Sequence, residues 1–315
     1  MSTIVVDVGK SGLRLRIRPG TAGLDSARTA TVAGLDPARA ALPGAGTELA
    51  AAVAAAWTSL SADACADAVE TVVIGSTFIP QPWALADCED RFRELWPSAE
   101  IVIVTDGALA HAAALGRVGT VASIGTGTVV LGLDAGGTLR QKDGWGPDLG
   151  DRGSALDLGR SGFQEACAAL DGVACDTALV SLAERALGTP IDIPAAARLL
   201  AAPDRVPRLA AFATEICQAA LDGDGTARAL VRTAARWVAD TCAAMAAEVG
   251  DTTVVTVGRL AGTPGYRQPL TEELSARGLV VQQPAASVLD VDSTLLAGPE
   301  YRRTAVFRAV TATRR

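Results

Sequence analysis

The sequence predicts a two-lobed α/β protein in which each lobe contains a mixed β-sheet. The chain has 315 residues, which is more than one hydrophobic core usually organises. Short β-branched runs alternate with helical patterns, as is typical of partly parallel sheets. A hairpin rich in glycine and hydroxyl residues opens each half of the chain, which indicates a duplicated domain. We therefore expect two similar lobes that face each other across a cleft.

The predicted lobes divide the chain near its first third. The first lobe is expected over residues 1–115 and the second over residues 116–297. Their opening hairpins begin with the β-branched strands Thr3–Val8 and Thr120–Ile124. The last segment, residues 298–315, is expected to form a helix that packs back on the first lobe.

The composition favours a small-molecule partner. The formal net charge is −7, with 49% hydrophobic and 20% charged residues, whereas nucleic-acid binding calls for clustered Lys and Arg. The Ala-rich stretch Leu49–Trp57 is too short and too weakly apolar to span a bilayer. The first residues carry neither a basic segment nor a long apolar run. We therefore expect a cytoplasmic protein that binds neither nucleic acid nor membrane.

The cysteines indicate no metal site. Six cysteines occur without a CxxC pair, and the chain has a single histidine, His111. Reduced thiols in the core of a cytosolic protein are the expected reading. We interpret His111 as a residue that packs a helix.

The first hairpin turn is a predicted phosphate loop. It reads Asp7-Val8-Gly9-Lys10-Ser11-Gly12. A glycine-rich turn can point backbone N–H groups and a hydroxyl at phosphate, and an aspartate at a strand end can hold hydrated Mg²⁺. The alternative is an ordinary hairpin with a surface aspartate.

A second turn, Gly125-Thr126-Gly127-Thr128, opens the second half. Two glycines let a ligand approach the backbone closely, and two hydroxyls can donate to phosphate oxygens. Such turns also occur in plain sheets. The pairing of this turn with the first one is the informative feature, because a nucleotide held between two lobes needs a loop from each.

A third motif is a ligand-shaped loop that runs from Gly144 to Ser154. It contains Gly144-Trp145-Gly146 and Gly150-Asp151-Arg152-Gly153-Ser154. The density of glycine and the acidic side chain of Asp151 favour a site that accepts bonds from sugar hydroxyls. The alternative is that Asp151 caps the following helix.

Asp106 is the predicted catalytic base. It follows the buried strand pattern Ile101–Val104 and precedes Gly107, at the strand end where α/β ligand sites usually lie. A kinase that acts on a hydroxyl needs a group to receive the proton, and an aspartate commonly serves.

Taken together, these segments resemble the N-acetylglucosamine kinase branch of the family that also contains the activating ATPases of benzoyl-CoA reductase and 2-hydroxyacyl-CoA dehydratase. The most specific stretch runs from Thr105-Asp106 to Ser154, followed by Leu158-Gly159-Arg160. The resemblance implies an actin-like, ribonuclease H-like ATPase fold that closes on a sugar with ATP and Mg²⁺ in the cleft. It also implies a homodimer.

The resemblance also implies residue roles. Asp7 would hold Mg²⁺ through water, Asp106 would be the base, and Gly258 would lie by adenosine. The other implied ligands are Gly9, Ser11, Thr126, Gly127 and Thr128 for phosphate, with Lys10 in the same first turn, and Gly144, Trp145 and Asp151 for the sugar. Ser76 or Thr77, in Gly75-Ser76-Thr77, could donate to an N-acetyl group, and Ser76 is our choice.

Several positions depart from the family pattern. Arg152 stands where the family usually has Glu, and the chain has no Asn, which the family often uses against sugar hydroxyls. Gly258 is followed by Arg259 rather than by a second glycine, and Ser11 stands in for Thr. The departures at Arg152 and at the missing Asn concern recognition of the sugar, whereas Asp106 keeps the pattern of the base.

The leading functional hypothesis is therefore phosphorylation of N-acetylglucosamine at its 6-hydroxyl, with glucosamine as the alternative substrate. An activating ATPase is a second class, but it would need cysteines placed to ligate an iron–sulfur cluster. A sugar sensor without catalytic activity is a third class. The set Asp7, Asp106, Thr126 and Asp151 argues against the sensor.

Overall fold

The computed structural model describes residues 2–10, 12–18, 27–60, 68–292, 295–296, 298, 301 and 303–309. The chain divides into two compact units. Unit 1 comprises Met1–Arg117, Ala135–Leu139 and Ala285–Arg315, and unit 2 comprises Val118–Asp134 and Arg140–Pro284.

Unit 1 is built around one mixed sheet. Its strands are β1 (Ser2–Val8), β2 (Leu13–Arg18), β3 (Arg28–Val32), β4 (Val69–Ser76), β5 (Glu100–Thr105) and β11 (Ala305–Ala309), and its helices are α1 (Ala45–Leu60), α2 (Pro82–Leu95) and α3 (Asp106–Ala114). Among the described residues, six strands lie in the order β11-β5-β4-β1-β2-β3. Strand β1 pairs antiparallel with β2 and parallel with β4, and β4 pairs parallel with β5.

Side chains of the hairpin strand β2 alternate between a buried face and a more exposed face. In β2, Leu13, Leu15 and Ile17 are buried, whereas the arginines between them point the other way. This period of two is that of a strand with one face in the core. The hairpin predicted from the sequence is therefore present, with Asp7 opposite Arg14 in the register.

Close packing positions helix α3 on the sheet. A side chain at Gly75 of β4 would overlap Leu109 of α3, so the helix can approach the strand only over glycine. Thr105 caps the helix, because its hydroxyl accepts a hydrogen bond from the Ala108 N–H at 3.1 Å. Asp106 is consequently the first residue of α3, at the carboxyl end of β5.

The C-terminal segment returns to unit 1 as a strand. The helix predicted over residues 298–315 is wrong where the structure describes that segment, since Ala305–Ala309 is strand β11, antiparallel to β5. The edge of β5 presents unpaired backbone groups, and pairing with them outweighs the local helical preference. Arg308 also forms an ion pair with Glu100 of β5 at 3.5 Å.

Side-chain contacts also attach Asp290, Val291 and Tyr301 to the rest of unit 1. Asp290 forms an ion pair with Arg16 of β2, and Arg18 donates to the Val291 carbonyl at 2.8 Å. His111 is fully buried and lies 2.7 Å from the Tyr301 hydroxyl. The prediction that His111 is a packing residue is confirmed.

Unit 2 combines a second mixed sheet with a helical layer. Its strands are β6 (Gly119–Ile124), β7 (Thr128–Leu133), β8 (Leu139–Asp143), β9 (Thr253–Val257) and β10 (Val280–Gln282). Its helices are α4 (Ala155–Leu170), α5 (Leu179–Leu187), α6 (Ile193–Ala201), α7 (Arg205–Leu221), α8 (Gly225–Val249), α9 (Arg259–Gly262) and α10 (Pro264–Ala276). Within the described residues, the sheet order is β10-β9-β6-β7-β8, with β6 antiparallel to β7 and parallel to β9.

Small residues bring the helices of unit 2 close together. A side chain at Gly159 of α4 would overlap the Leu209 carbonyl of α7. Gly132 of β7 meets Met245 of α8 in the same way. The high content of Ala and Gly in the sequence therefore has a packing role, since each small residue allows backbones to approach.

The predicted fold class is confirmed, because each unit contains a mixed sheet with helices and each sheet begins with a glycine-turn hairpin. The predicted cleft stays a prediction. In the described part of the chain, every helix is too short or too polar to traverse a lipid bilayer.

We expect Gly159→Ala to destabilise the protein by about 1–3 kcal/mol, because the new methyl group would overlap backbone that cannot rotate away. Denaturant unfolding of both proteins measures this difference. Gly225→Ala is the matched control. No atom lies within 4 Å of the position that its Cβ would occupy, so its unfolding free energy should stay equal or rise by up to about 1 kcal/mol. Equal stability of the two variants would contradict the packing argument.

Candidate active site

The first glycine turn lies at the end of β1 in unit 1. The Gly9 N–H donates to the Gly12 carbonyl at 2.9 Å, which closes the turn, and Lys10 is exposed at its tip. Asp7 is half-buried and forms an ion pair with Arg14 across the hairpin. Ser11, a predicted phosphate ligand, lies outside the described residues. The turn thus presents a lysine and a carboxylate at one strand end.

Gly34 supports this turn from behind, and sequence reasoning missed it. A side chain at Gly34 would overlap the backbone of Gly9, Lys10 and Gly12. The next residue, Leu35, donates its N–H to the Gly9 carbonyl at 3.1 Å. A lone glycine after a strand carries no signal for such a contact, because the contact partner is distant in sequence.

Asp106 lies on the exposed first turn of α3. Partial burial of its carboxyl group raises the pKa of Asp106, the Asp7 carboxylate raises this pKa further, and the N–H groups of Gly107 and Asp106 oppose the shift. Asp106 therefore keeps its proton to a higher pH than an ordinary aspartate does. Strands β1 and β5 both pair parallel with β4, with Asp7 opposite Gly75 and Gly75 opposite Val104, so the predicted base and the predicted metal ligand lie at the same sheet edge of unit 1.

Ser76 does not join this group. Its side chain is fully buried, its hydroxyl donates to the Phe78 carbonyl at 2.7 Å, and it accepts from the Phe78 N–H at 2.9 Å. A hydroxyl used twice within its own turn is not available to a sugar. We therefore correct the expectation that Ser76 donates to an N-acetyl group. The turn that follows β4 uses its hydroxyl for two hydrogen bonds.

The second glycine turn connects β6 to β7 in unit 2. Among the described residues, the N–H groups of Thr126 and Gly127 make no hydrogen bond. The Thr128 hydroxyl is buried and has no partner within that part of the chain. Buried polar groups are nearly always paired. An unpaired hydroxyl next to two free N–H groups therefore fits an anion such as phosphate.

Helix α4 and Asp151 hold this turn in place. The first N–H groups of the helix, those of Ala155 and Leu156, donate to the carbonyls of Gly125 and Thr126 at 2.9 Å and 3.1 Å. Asp151 accepts a hydrogen bond from the Thr128 N–H at 3.1 Å. The structure thus joins the third sequence motif to the second, with Asp151 directly against the glycine turn.

The carboxyl group of Asp151 is electrostatically unusual. Burial raises the pKa of Asp151, and the nearby carboxylates of Asp143 and Asp157 add to this rise, while the Thr128 N–H and Arg160 oppose it. The helix cap proposed as the alternative belongs instead to Ser154, whose hydroxyl accepts from the Asp157 N–H at 3.2 Å. Asp151 therefore faces the turn rather than the helix backbone.

The glycine-rich loop keeps an aromatic side chain in solvent. Trp145 is 76% exposed, and Gly144 and Gly146 on either side adopt positive φ angles of 74° and 88°. Only glycine adopts such angles without strain. Asp143, which precedes the loop, accepts hydrogen bonds from three of its N–H groups. Sequence reasoning missed Asp143 because no motif includes it.

Gly258 closes the end of β9 beside the same turn. Its φ is +103° and a side chain there would overlap the backbone of Ile124, the residue before the turn. A pocket of about 350 Å³ opens next to it. The pocket is lined by Gly125, Thr126, Ala155, Pro207, Ala210, Ala211, Ala213, Thr214, Arg259, Leu260 and Thr263. Sequence reasoning found Thr126 in this lining and Gly258 next to it, but it missed the wall contributed by α7.

The described residues contain no cluster of three or more His, Cys, Asp or Glu side chains placed to hold a metal. Cys88, Cys217 and Cys242 are buried, and burial raises the pKa of each thiol to about 12. These three are core thiols, as the sequence predicts. Cys167 is half-buried and Cys175 is exposed.

The predicted site residues therefore form two groups. In unit 1 the structure brings together Asp7, Gly9, Lys10 and Asp106. In unit 2 it brings together Thr126, Gly127, Thr128, Asp151 and Gly258, with Gly144 and Trp145 in the loop that ends at Asp151.

Several solved structures share this fold. A candidate N-acetylglucosamine kinase from Chromobacterium violaceum superposes with a TM-score of 0.65 at 22% identity, covering 94% of this chain and 98% of that one. A second one, from Porphyromonas gingivalis, gives 0.66 at 19% identity, covering 93% and 98%. A ROK family transcriptional regulator, homologous to the MLC protein of E. coli, gives 0.55 at 12% identity, covering 95% and 78%. At these identities the likeness concerns the fold alone.

The family follows from the sequence match. A model of the BadF/BadG/BcrA/BcrD ATPase family matches residues 18–288, and the chain belongs to this family. It is thus an ATPase-family protein with the fold of sugar kinases. A curated relative, the N-acetylmuramic acid/N-acetylglucosamine kinase of Clostridium acetobutylicum, is 32% identical over 84 residues. That match covers 26% of this chain and only 28% of the relative.

We expect Thr128→Val to weaken ATP binding about tenfold without lowering stability. The variant removes a buried hydroxyl that has no protein partner, and such a group costs about 1–3 kcal/mol when unsatisfied. The melting temperature and the Kd for ATP measure the two effects. Thr120→Val is the control, because the Thr120 hydroxyl is also buried and unpaired within the described residues but lies at the other end of β6. Equal ATP affinities of the two variants would contradict the phosphate assignment.

Proposed function

We propose that this protein is an ATP-dependent amino-sugar kinase that phosphorylates N-acetylglucosamine at its 6-hydroxyl. The observation that carries the proposal is the pair of carboxylates in unit 1. Asp7 at the end of β1 and Asp106 just beyond β5 lie at the same edge of one sheet, because both strands pair parallel with β4. A phosphotransferase needs this combination of a metal ligand and a proton acceptor.

The proposed nucleotide ligands in unit 2 are the glycine turn and the adjoining pocket. The free N–H groups of Thr126 and Gly127 and the unpaired Thr128 hydroxyl suit phosphate oxygens. The pocket of about 350 Å³ beside Gly258 suits the nucleoside. Gly9 and Lys10 of the first turn are proposed as further phosphate ligands, as the sequence predicts.

The donor chemistry also fits Mg²⁺. This ion is usually held through water by one or two carboxylates together with substrate phosphates, so Asp7 suffices as the protein contribution. Mg²⁺ would supply charge neutralisation on the phosphates. Arg14 forms an ion pair with Asp7 and orients that carboxylate.

Asp106 acts as the general base in the proposed reaction. It accepts the proton of the 6-hydroxyl while the hydroxyl oxygen bonds to the γ-phosphorus and the bond to the bridging oxygen of ADP breaks. A base with a raised pKa holds this proton better than an ordinary aspartate. Gly144, Trp145 and Asp151 are the proposed sugar contacts, with the exposed indole as a platform for the apolar face of the ring.

The comparisons support a kinase over the other classes. The family is one of ATPases, and the curated relative that matches part of the chain acts on N-acetylmuramic acid and N-acetylglucosamine. Glucosamine remains the alternative substrate. A sugar sensor is favoured by one observation only, which is that the fold also occurs in a transcriptional regulator.

A coupled ADP-release assay tests the function directly. The panel should contain N-acetylglucosamine, glucosamine, N-acetylmannosamine, glucose and muramic-acid derivatives. We expect ADP release only in the presence of a sugar, with N-acetylglucosamine giving the highest kcat/KM. Sugar-dependent thermal stabilisation without turnover would favour the sensor, and a brown, iron-containing protein would favour the activating ATPase.

We expect Asp106→Asn to lower kcat about a hundredfold or more with little change in sugar binding. Asp90→Asn, at an exposed position of α2, is the control and should keep wild-type turnover. Near-normal turnover of the Asp106 variant would remove this residue from the role of base.

The pH profile provides an independent check on Asp106. The base works only as the carboxylate, and its pKa is raised, so kcat/KM should fall as the pH drops through a value above the ordinary aspartate pKa of about 4. The acid limb should be absent from the residual activity of Asp106→Asn. An unchanged limb in the variant would assign it to another group.

The proposed enzyme is a cytoplasmic homodimer. The family resemblance supports the dimer, and the acidic composition without clustered basic residues supports a small-molecule role. Sedimentation velocity measures the oligomeric state, and a monomer at micromolar concentration would contradict it.

A further inference from the structure

We propose that Asp143 is the positioning residue of the sugar-binding loop, holding residues 144–152 in a shape that binds sugar before the sugar arrives. This inference rests on the proposed function, because it treats the loop that carries Trp145 and Asp151 as the sugar site. Asp143 touches neither the sugar nor ATP in this proposal. It acts through the backbone.

One carboxylate joins both ends of the loop. Oδ1 of Asp143 accepts the Gly144 N–H at 2.7 Å and the Asp151 N–H at 2.8 Å, and Oδ2 accepts the Arg152 N–H at 3.0 Å. Hydrogen bonds to a charged acceptor are roughly twice as strong as neutral ones. The loop leaves β8 and returns to the same side chain eight residues later.

The backbone adopts unfavourable angles to make these contacts. Asp143 and Asp151 both have φ of +57°, a left-handed conformation that is uncommon outside glycine but tolerated by aspartate. Gly150 completes the arrangement, because a side chain there would overlap the Asp143 carboxylate and Trp145. The absence of a side chain at Gly150 therefore leaves room for the Asp143 carboxylate.

Other ties hold the outside of the loop. Arg160 donates to the Pro147 carbonyl at 3.1 Å, and Arg205 contacts both carboxylate oxygens of Asp148 at 2.9 Å and 3.0 Å. The buried Tyr266 hydroxyl donates to the Gly153 carbonyl at 2.7 Å. These contacts stabilise the tip of the loop and its junction with α4. None of them reaches the backbone N–H groups of Gly144 and Asp151, which donate to Asp143.

The functional consequence concerns binding more than chemistry. The three hydrogen bonds that Asp143 accepts, which we call the clamp, orient Asp151 and hold Trp145 in solvent. The Asp151 carboxylate in turn accepts a hydrogen bond from the Thr128 N–H. Without the clamp, the sugar would have to order the loop as it binds, and the fraction of competent protein would fall. The KM for the sugar should rise. The KM for ATP should change much less, because the N–H groups of Ala155 and Leu156 still hold the glycine turn when Asp151 moves.

The test uses two substitutions in the full-length protein. Asp143→Gly removes both acceptor oxygens and therefore all three hydrogen bonds, and glycine tolerates the positive φ, so this variant isolates the effect of the carboxylate. Asp143→Asn keeps an oxygen for Gly144 and Asp151 but replaces the acceptor of Arg152 with a donor. We expect the KM for N-acetylglucosamine to rise about a hundredfold in the glycine variant and about tenfold in the asparagine variant, in line with losing three charged hydrogen bonds or one. The kcat and the KM for ATP should change less than about threefold.

Asp251→Asn is the matched control. Asp251 also accepts a backbone N–H, that of Thr253, at 2.7 Å, but in the turn before β9. A purely structural role of Asp143 would lower the melting temperature of the glycine variant and leave the sugar KM as it is in the control. That result would overturn the proposal.

Limited proteolysis provides a readout that needs no turnover. Arg152 is exposed and donates its N–H to the clamp, so tryptic cleavage after Arg152 should be at least about tenfold faster in Asp143→Gly than in the wild type. A wild-type cleavage rate in Asp143→Gly would contradict the proposal that Asp143 orders the loop. If the wild type phosphorylates no sugar, the proposed function fails, and the proteolysis result still decides whether Asp143 orders the loop.

Discussion

The parallel pairing of the central strands is the constraint on which both parts of the candidate site depend. In unit 1, β1 pairs with β4 and β4 with β5, so that their carboxyl ends reach one edge of the sheet. Asp7 and Asp106 meet there although 98 residues of sequence lie between them. In unit 2, β6 pairs with β9 and places Gly258 against Ile124. Carboxylate and backbone groups are collected by sheet register rather than by local sequence.

Some polar groups near these strand ends are hydrogen-bonded within the protein, and others have no partner among the described residues. Asp143 and Asp151 each satisfy backbone N–H groups of their surroundings, and such pairing makes the loop and the turn rigid. The Thr128 hydroxyl and the N–H groups of Thr126 and Gly127 have no partner in the described part of the chain. A rigid backbone with donors that have no protein partner is the arrangement that preorganised binding of an anion requires.

Sequence patterns predicted most of the regular structure because hydrophobic periodicity is a local property. The sequence predicts the opening strands of both hairpins and the buried strand before Asp106 from their own residues. Strand β11 was not predicted, since its conformation comes from the open edge of β5, and the same residues read alone favour a helix. Ser76 was misjudged for a related reason, because its hydroxyl is consumed by a turn that no pattern reveals.

The sequence by itself determined the fold class, the two glycine turns and the identity of Asp106 as the strand-end carboxylate, because these depend on residues adjacent along the chain. Only the tertiary structure decided that Gly34 backs the first turn, that α7 walls the pocket beside Gly258, and that Asp143 joins both ends of the loop. Each of these contacts joins groups that are separated in sequence, or that meet through a backbone angle which composition does not encode. Local patterns determine which elements form, and packing decides which of their atoms touch.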